Sequence, residues 1–241
     1  MPSRSRGQVL GVDFYGESTA TTHLAPMQLT DRSVDALLSL MRMTATSTRD
    51  TIIDTATTLF LGRGFGLVGT NELCAASGIN KGTFYHFFPS KSALMVSAIE
   101  RYAERFAAAF DDIANADERA VIKLELFFDV PARANREWKV AHGFAQGCLI
   151  GNISLELAVV DPEVRNAIQQ AMARWSLPIA RVIDDLVKEG TVREINSAAA
   201  AEIVIALMQG GILLAKVHND PSRITMLAPG ALSHLRALAA V

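Results

Sequence analysis

The stretch GTNELCAASGINKGTFYHFFPSKSALM, residues 69–95, decides how the rest of the chain is read. Thr70–Ala76 has the length of a short helix, and Ser77-Gly78-Ile79 follows as a turn with glycine at its centre. A second short helix starts near Asn80, and Pro89-Ser90 breaks it, because proline has no N–H to continue the ladder. Two short helices joined by a glycine-containing turn make a helix-turn-helix, whose second helix enters the major groove of DNA. In that helix Phe84 and Phe88 stand four residues apart and share a face, expected to pack on Leu73 and Ile79. Gly82, Thr83 and His86 then lie broadly opposite, with Tyr85 on the flank and Lys81 at the start. Thr, Tyr and Lys side chains can hold phosphates, His can reach base edges or phosphate, and Gly lets the backbone come close. Thr70 and Lys91 open the neighbouring helices, where backbone N–H groups and a side-chain donor can grip phosphates together.

Upstream, Ile52, Ile53, Ala56, Leu59 and Phe60 recur at helical spacing, Thr48 is a candidate cap, and the GRGFG run at 62–66 ends the helix. Downstream, Ser90 caps a longer helix reaching about Phe110. Further helices are expected at about Glu118–Trp138, Gly147–Val159, Asp161–Lys188, Ser197–Val217 and Pro221–Ala240, with Pro178 kinking the third of these. Strand signals and internal repeats are missing from this pattern. The expected fold is all-α: an N-terminal three-helix helix-turn-helix domain over 44–92, then a helical regulatory and dimerisation domain over 93–241. Residues 1–43 mix Gly, Ser, Thr and Pro and read either as a disordered extension or as a wrongly assigned start. Translation from Met43 would leave 199 residues.

Residues 69–95 resemble the DNA-binding signature of TetR-type regulators. The resemblance lies in the Thr opening the first short helix, the Ala-Ser-Gly-Ile turn, the Gly-Thr-Phe-Tyr core and the following Phe-Pro-Ser-Lys-Ser-Ala-Leu; in detail it spans about Arg49–Tyr102. It implies that Thr70, Lys81, Gly82, Thr83, Tyr85, His86 and Lys91 fall where family members contact DNA, with Asn71 as an addition. Cys74 departs from the pattern, which usually has a small Ala there, and is expected to be a buried, inert thiol. The resemblance further implies a repressor acting as a homodimer on a palindromic operator. Two long, small-residue-rich helices (198–217 and 231–241) would form the four-helix dimer interface.

Phe127, Phe128, Trp138, Phe144, Met172 and Trp175 are candidates for lining an effector cavity, although aromatic and Met residues at helical spacing are more often plain core. Cys148 follows a Gly at an expected helix start, where the helix terminus and a nearby His142 or Lys139 would lower a thiol pKa. The Gly-Cys-Leu segment resembles the cysteine-sensing branch similar to the repressor of N-ethylmaleimide reductase, making Cys148 a candidate redox sensor; the alternative is a small buried hydrophobe.

Composition sets the exclusions. The net charge is −2, and residues 44–110 hold six Lys or Arg against five Asp or Glu, so affinity for DNA must come from positioned contacts and from pairing two domains. Two cysteines give neither a disulfide framework nor a zinc site, and a reducing cytoplasm is expected. No cofactor or metal is expected, and no apolar run was expected to reach the ~20 residues of a membrane span. The five histidines are scattered, and HExxH, GxSxG and phosphate-loop patterns are missing, which speaks against an all-α enzyme. A helical protein-interaction module is the third class, distinguished by having no affinity for duplex DNA at any salt.

Overall fold

A cap opens the first helix: Ser47, in extended backbone, accepts from Asp50 N at 3.2 Å. The computed structural model describes residues 47–238, so the readings made for residues 1–43 lie outside the described residues. The cap is Ser47 and not Thr48, which is already the first helical residue. Helix α1 (Thr48–Arg63) buries Ile52, Ile53, Ala56 and Phe60 and stops at Gly64, whose φ of 83° a side chain would strain. Then come α2 (Thr70–Ala76) and α3 (Lys81–Phe87), joined through Gly78 at φ 66°. Asn80 caps α3 by accepting from Thr83 N at 2.8 Å, and Ser90 caps α4 (Lys91–Asn115) by accepting from Ala93 N at 3.0 Å.

The remaining helices are α5 (Ala120–His142), α6 (Leu149–Leu157), α7 (Pro162–Lys188), α8 (Ser197–His218), α9 (Ser222–Thr225) and α10 (Ala228–Leu238). Among the described residues there are ten helices and no strand, so the all-α expectation holds. Asp161 caps α7 through Glu163 N and Val164 N, both at 3.1 Å, with Pro162 in the first turn. The last helix needs correction, because the single helix expected over 221–240 is two pieces. Pro229 has no N–H for the Thr225 carbonyl, so the ladder cannot cross it, while proline is welcome in the first turn of α10. α4 runs one turn past Phe110, and α6 is shorter at both ends than expected.

α4 packs most extensively on α7, which also packs on α5 and α8. Between them Tyr102, Phe106, Phe110, Phe127 and Trp175 form one aromatic stack, with Phe110 and Phe127 rings 5.1 Å apart and Phe106 and Trp175 5.7 Å apart. Trp175 Nε1 donates to Ala103 O at 2.9 Å, satisfying the polar atom that burial would otherwise strand. The expectation of no membrane-length apolar helix is also corrected: α8 is long and apolar enough by composition. Ala200, Ala201, Val204, Met208, Ile212 and Ala215 on α8 face the core, and 44% of the apolar window is buried.

Candidate nucleic-acid interface

Phe84 is fully buried and Phe88 nearly so, their rings 6.1 Å apart, and Leu73 is buried beneath them. Ile79 packs at the edge of the same core. This anchors one face of α3 and turns the other outward. Lys81, Gly82, Tyr85 and His86 are exposed, Tyr85 by 53% although it is a large aromatic. A Cβ on Gly82 would stand 3.2 Å from Asn80 Oδ1, closer than ordinary contact, so the cap on Thr83 would have to give slightly to admit a side chain there. Thr83 is half-buried, and its hydroxyl donates to Asn80 Oδ1 at 3.1 Å. Thr70 is half-buried at the start of α2, and Asn71 beside it is exposed. Cys74 is buried in the same small core, as expected for an inert thiol. Seven of the eight residues proposed from sequence therefore line α3 and the start of α2.

Lys91 is placed differently. Its ammonium donates to Phe65 O at 2.9 Å and Val68 O at 3.0 Å, and lies 3.9 Å over the Phe65 ring. Desolvation lowers its pKa, and the charge of Glu156 opposes that shift. Glu156, on α6, accepts from Phe65 N at 3.1 Å and Gly66 N at 3.2 Å. The loop leading into α2 is thus held by a cation on its carbonyls and a carboxylate on its amides. Arg101 and Arg105 on α4 reach Asp50 and Asp54 on α1, giving the helix-turn-helix a second attachment. Glu156 and the two arginines escaped the sequence reading, because no local pattern marks a contact across 50 to 90 residues.

Residues 52–98 match the family described as bacterial regulatory proteins, tetR family, and residues 128–228 match the tetracyclin repressor-like C-terminal domain. The chain belongs to the TetR family. The transcriptional regulator AcuR of Cereibacter sphaeroides is 29% identical over 161 residues, covering 66% of this chain and 72% of that relative. The transcriptional repressor NemR of Escherichia coli K12 is 25% identical over 178 residues, covering 72% and 86%. The crystal structure of regulatory protein TetR from Rhodobacter sphaeroides superposes with a TM-score of 0.67 at 26% identity, covering 76% of this chain and 96% of that one. This TetR-family chain is a non-enzymatic, DNA-binding transcriptional regulator of a family whose members act as dimers.

In this TetR-family regulator Cys148 stands at the N-cap of α6, as its sequence context suggested, but its surroundings differ from those expected. Gly143 turns the chain at the end of α5, and neither neighbour named from sequence serves the thiol. His142 stacks on Trp138 with rings 3.8 Å apart, and Lys139 Nζ donates to Asn219 O at 2.6 Å. The partners of Cys148 are Gln209, whose Nε2 donates to Sγ at 3.4 Å, and Tyr102. Burial pushes the Cys148 thiol up, outweighing the hydrogen bonds that favour the thiolate, and pushes Tyr102 well above the usual phenol value. The expected lowered pKa is therefore corrected to a raised one. Both groups keep their protons longer in the folded state than in the unfolded chain. Their stabilisation is then present below about pH 9, the ordinary thiol value, and is lost as pH rises beyond it. Urea titrations should show unfolding free energy declining above about pH 9, less steeply in Cys148→Ser; an identical decline in that variant would remove the thiol from the account.

The aromatic lining is corrected as well. Phe127 and Phe128 are fully buried core, Phe144 is exposed and Met172 packs at the core edge. Trp138 and Trp175 do face cavities, in the company of Tyr102, Phe106 and Gln146, which the sequence reading did not name.

Proposed function

We propose that the protein is a cytoplasmic repressor that reads a palindromic operator as a homodimer and is released by a small ligand or by thiol modification. The observation carrying the DNA-reading half is the outward row Lys81, Gly82, Tyr85 and His86, set opposite the buried Phe84. Thr70, Asn71 and Thr83 extend that surface toward the phosphates, and Lys91 serves it by holding the loop before α2. The DNA-binding domain is taken as residues 44–92 and the regulatory domain as 93–241. The partner surface is the outer side of α8, where Leu213, Leu214 and Val217 stand exposed, with α10 beside it. A second copy there would set two α3 helices to read half-sites one DNA turn apart.

Selection of genomic DNA fragments by the purified full chain at ~150 mM salt, near physiological ionic strength, tests this reading. A palindrome is expected. Lys81→Ala should weaken binding to it about tenfold and flatten the salt dependence by about two phosphate contacts per dimer. A folded dimer that enriches no sequence would reject the reading. For the thiol arm, hypochlorite should release DNA from the wild type and not from Cys148→Ser. Equal release from both would remove Cys148 as a sensor.

A further inference from the structure

A cleft of about 310 Å³ opens where α1 meets α4 and α5, lined among others by Asp54, Thr57, Arg105, Trp138 and His142. Beside it lies a narrow chamber of about 10 Å³, room for one water at most, with Phe110, Asn135, Cys148, Trp175 and Met208 in its walls. Tyr102, Phe106, Ala134 and Gln146 line both spaces, so cleft and chamber adjoin along a shared wall. A third groove of about 370 Å³ sits between α5 and the C-terminal helices, but its Asp129 is already paired with Arg133 and Arg136.

Two amides in this wall are incompletely satisfied. Asn135 is 3% exposed and donates from Nδ2 to Pro131 O at 3.0 Å, leaving Oδ1 without a partner. Gln146 is 7% exposed and donates from Nε2 to Ala134 O at 3.5 Å, leaving Oε1 without one. A carbonyl facing each NH2 group fixes the orientation of the amide, so the open atom is an acceptor in both. Two buried acceptors call for a donor, and Trp138 Nε1 and Arg105 Nε, buried in the cleft walls without partners, call for an acceptor; one hydroxyl supplies both. The aromatic walls and the small volume favour a single flat ring, and Asp54 is already engaged by two arginines, which leaves it no cation to attract.

We propose that cleft and chamber form one effector site for a small, neutral, flat apolar ligand bearing a hydroxyl donor, with Gln146 and Asn135 as its acceptors. The inference rests on the reading of this protein as a ligand-released regulator and names the ligand class. Entry displaces the Gln146 wall, enlarges the chamber and pushes against Asp54 and Thr57 on α1, the helix that carries the helix-turn-helix. A ligand favouring the separated arrangement shifts the population away from the DNA-reading one.

The chain's two tryptophans, Trp138 in the cleft and Trp175 in the chamber, make the site readable by fluorescence. The probes are 4-ethylphenol and 4-ethylanisole, the same ring with the hydroxyl proton replaced by methyl. Full-length protein should bind the phenol at least about tenfold more tightly. Saturable quenching should appear both in Trp138→Phe, which reports Trp175, and in Trp175→Phe, which reports Trp138. Gln146→Leu and Asn135→Leu should each reduce the preference while keeping the anisole affinity, the second serving as the test should the first not fold. Equal affinity for the two probes, quenching confined to Trp138, or a preference that survives both substitutions would overturn the proposal. Operator binding without probe is measured on the same samples. Its loss alongside an intact phenol preference would count against the regulator reading and not against the site.

Discussion

Lys91→Met is expected to weaken operator binding about 30-fold while leaving the protein folded. The ammonium of Lys91 ties two carbonyls of the loop before α2, and Glu156 ties two amides of the same loop from α6. Methionine keeps an apolar side chain of similar shape and removes the ammonium with both charge-assisted bonds and its contact with the Phe65 ring. Such bonds contribute about 1.5–3 kcal/mol when buried, and partial exposure here reduces that to about 1 kcal/mol per subunit. A dimer gripping two half-sites loses it twice, and about 2 kcal/mol corresponds to about 30-fold. The loss acts on α2 and α3 together, since the loop sets where Thr70 begins its helix. Fluorescence anisotropy on the selected operator measures it. Unchanged affinity with a lowered melting temperature would mean that the loop does not set the reading geometry.

Asp54→Ala is the second large effect, and it falls on stability. Asp54 accepts from Arg101 Nη2 at 3.1 Å and from Arg105 Nη2 at 2.9 Å, and the three side chains are 30%, 19% and 20% exposed. That places the cluster between a surface pair, worth about 0–1 kcal/mol, and a buried one, whose breakage costs about 3–5 kcal/mol. A loss of about 2 kcal/mol is expected, or about 4–8 °C in Tm for a chain of this size. Calorimetry in 1 M salt should retain most of the shift, because half-buried pairs are poorly screened. A shift that vanishes in salt would show the cluster to be an ordinary surface pair.

What could be read in advance was what neighbouring residues decide among themselves. The Phe84–Phe88 spacing, the caps at Ser90 and Asp161 and the turn at Gly78 are local, and each was legible. Cys148 was correctly set at a helix start, but its neighbours were inferred from closeness in sequence, whereas the fold brings Tyr102 and Gln209 to it from other helices. The cavity was sought by residue type. Which face of α5 turns inward depends on packing against α4 and α7, which makes Phe127 and Phe128 core, while Gln146 reaches the cleft wall from the loop after α5. The break in the final helix at Pro229 is also a local signal, since a proline there leaves the Thr225 carbonyl without a donor.

The grip of α6 on the loop before α2 is made on main-chain amides, and that has a bearing on how freely this region can drift under mutation. Phe65 and Gly66 offer N–H groups that nearly any residue also carries, so substitutions there leave the Glu156 contact possible, proline excepted. Gly64 is the exception in the other direction. At φ 83° it already disfavours a side chain, and a Cβ would come within 2.8 Å of Glu156 Oε1. A lineage could therefore rewrite the loop's chemistry around one fixed glycine and one fixed acid, changing what the surface offers to DNA or to a partner while its attachment to α6 stays the same.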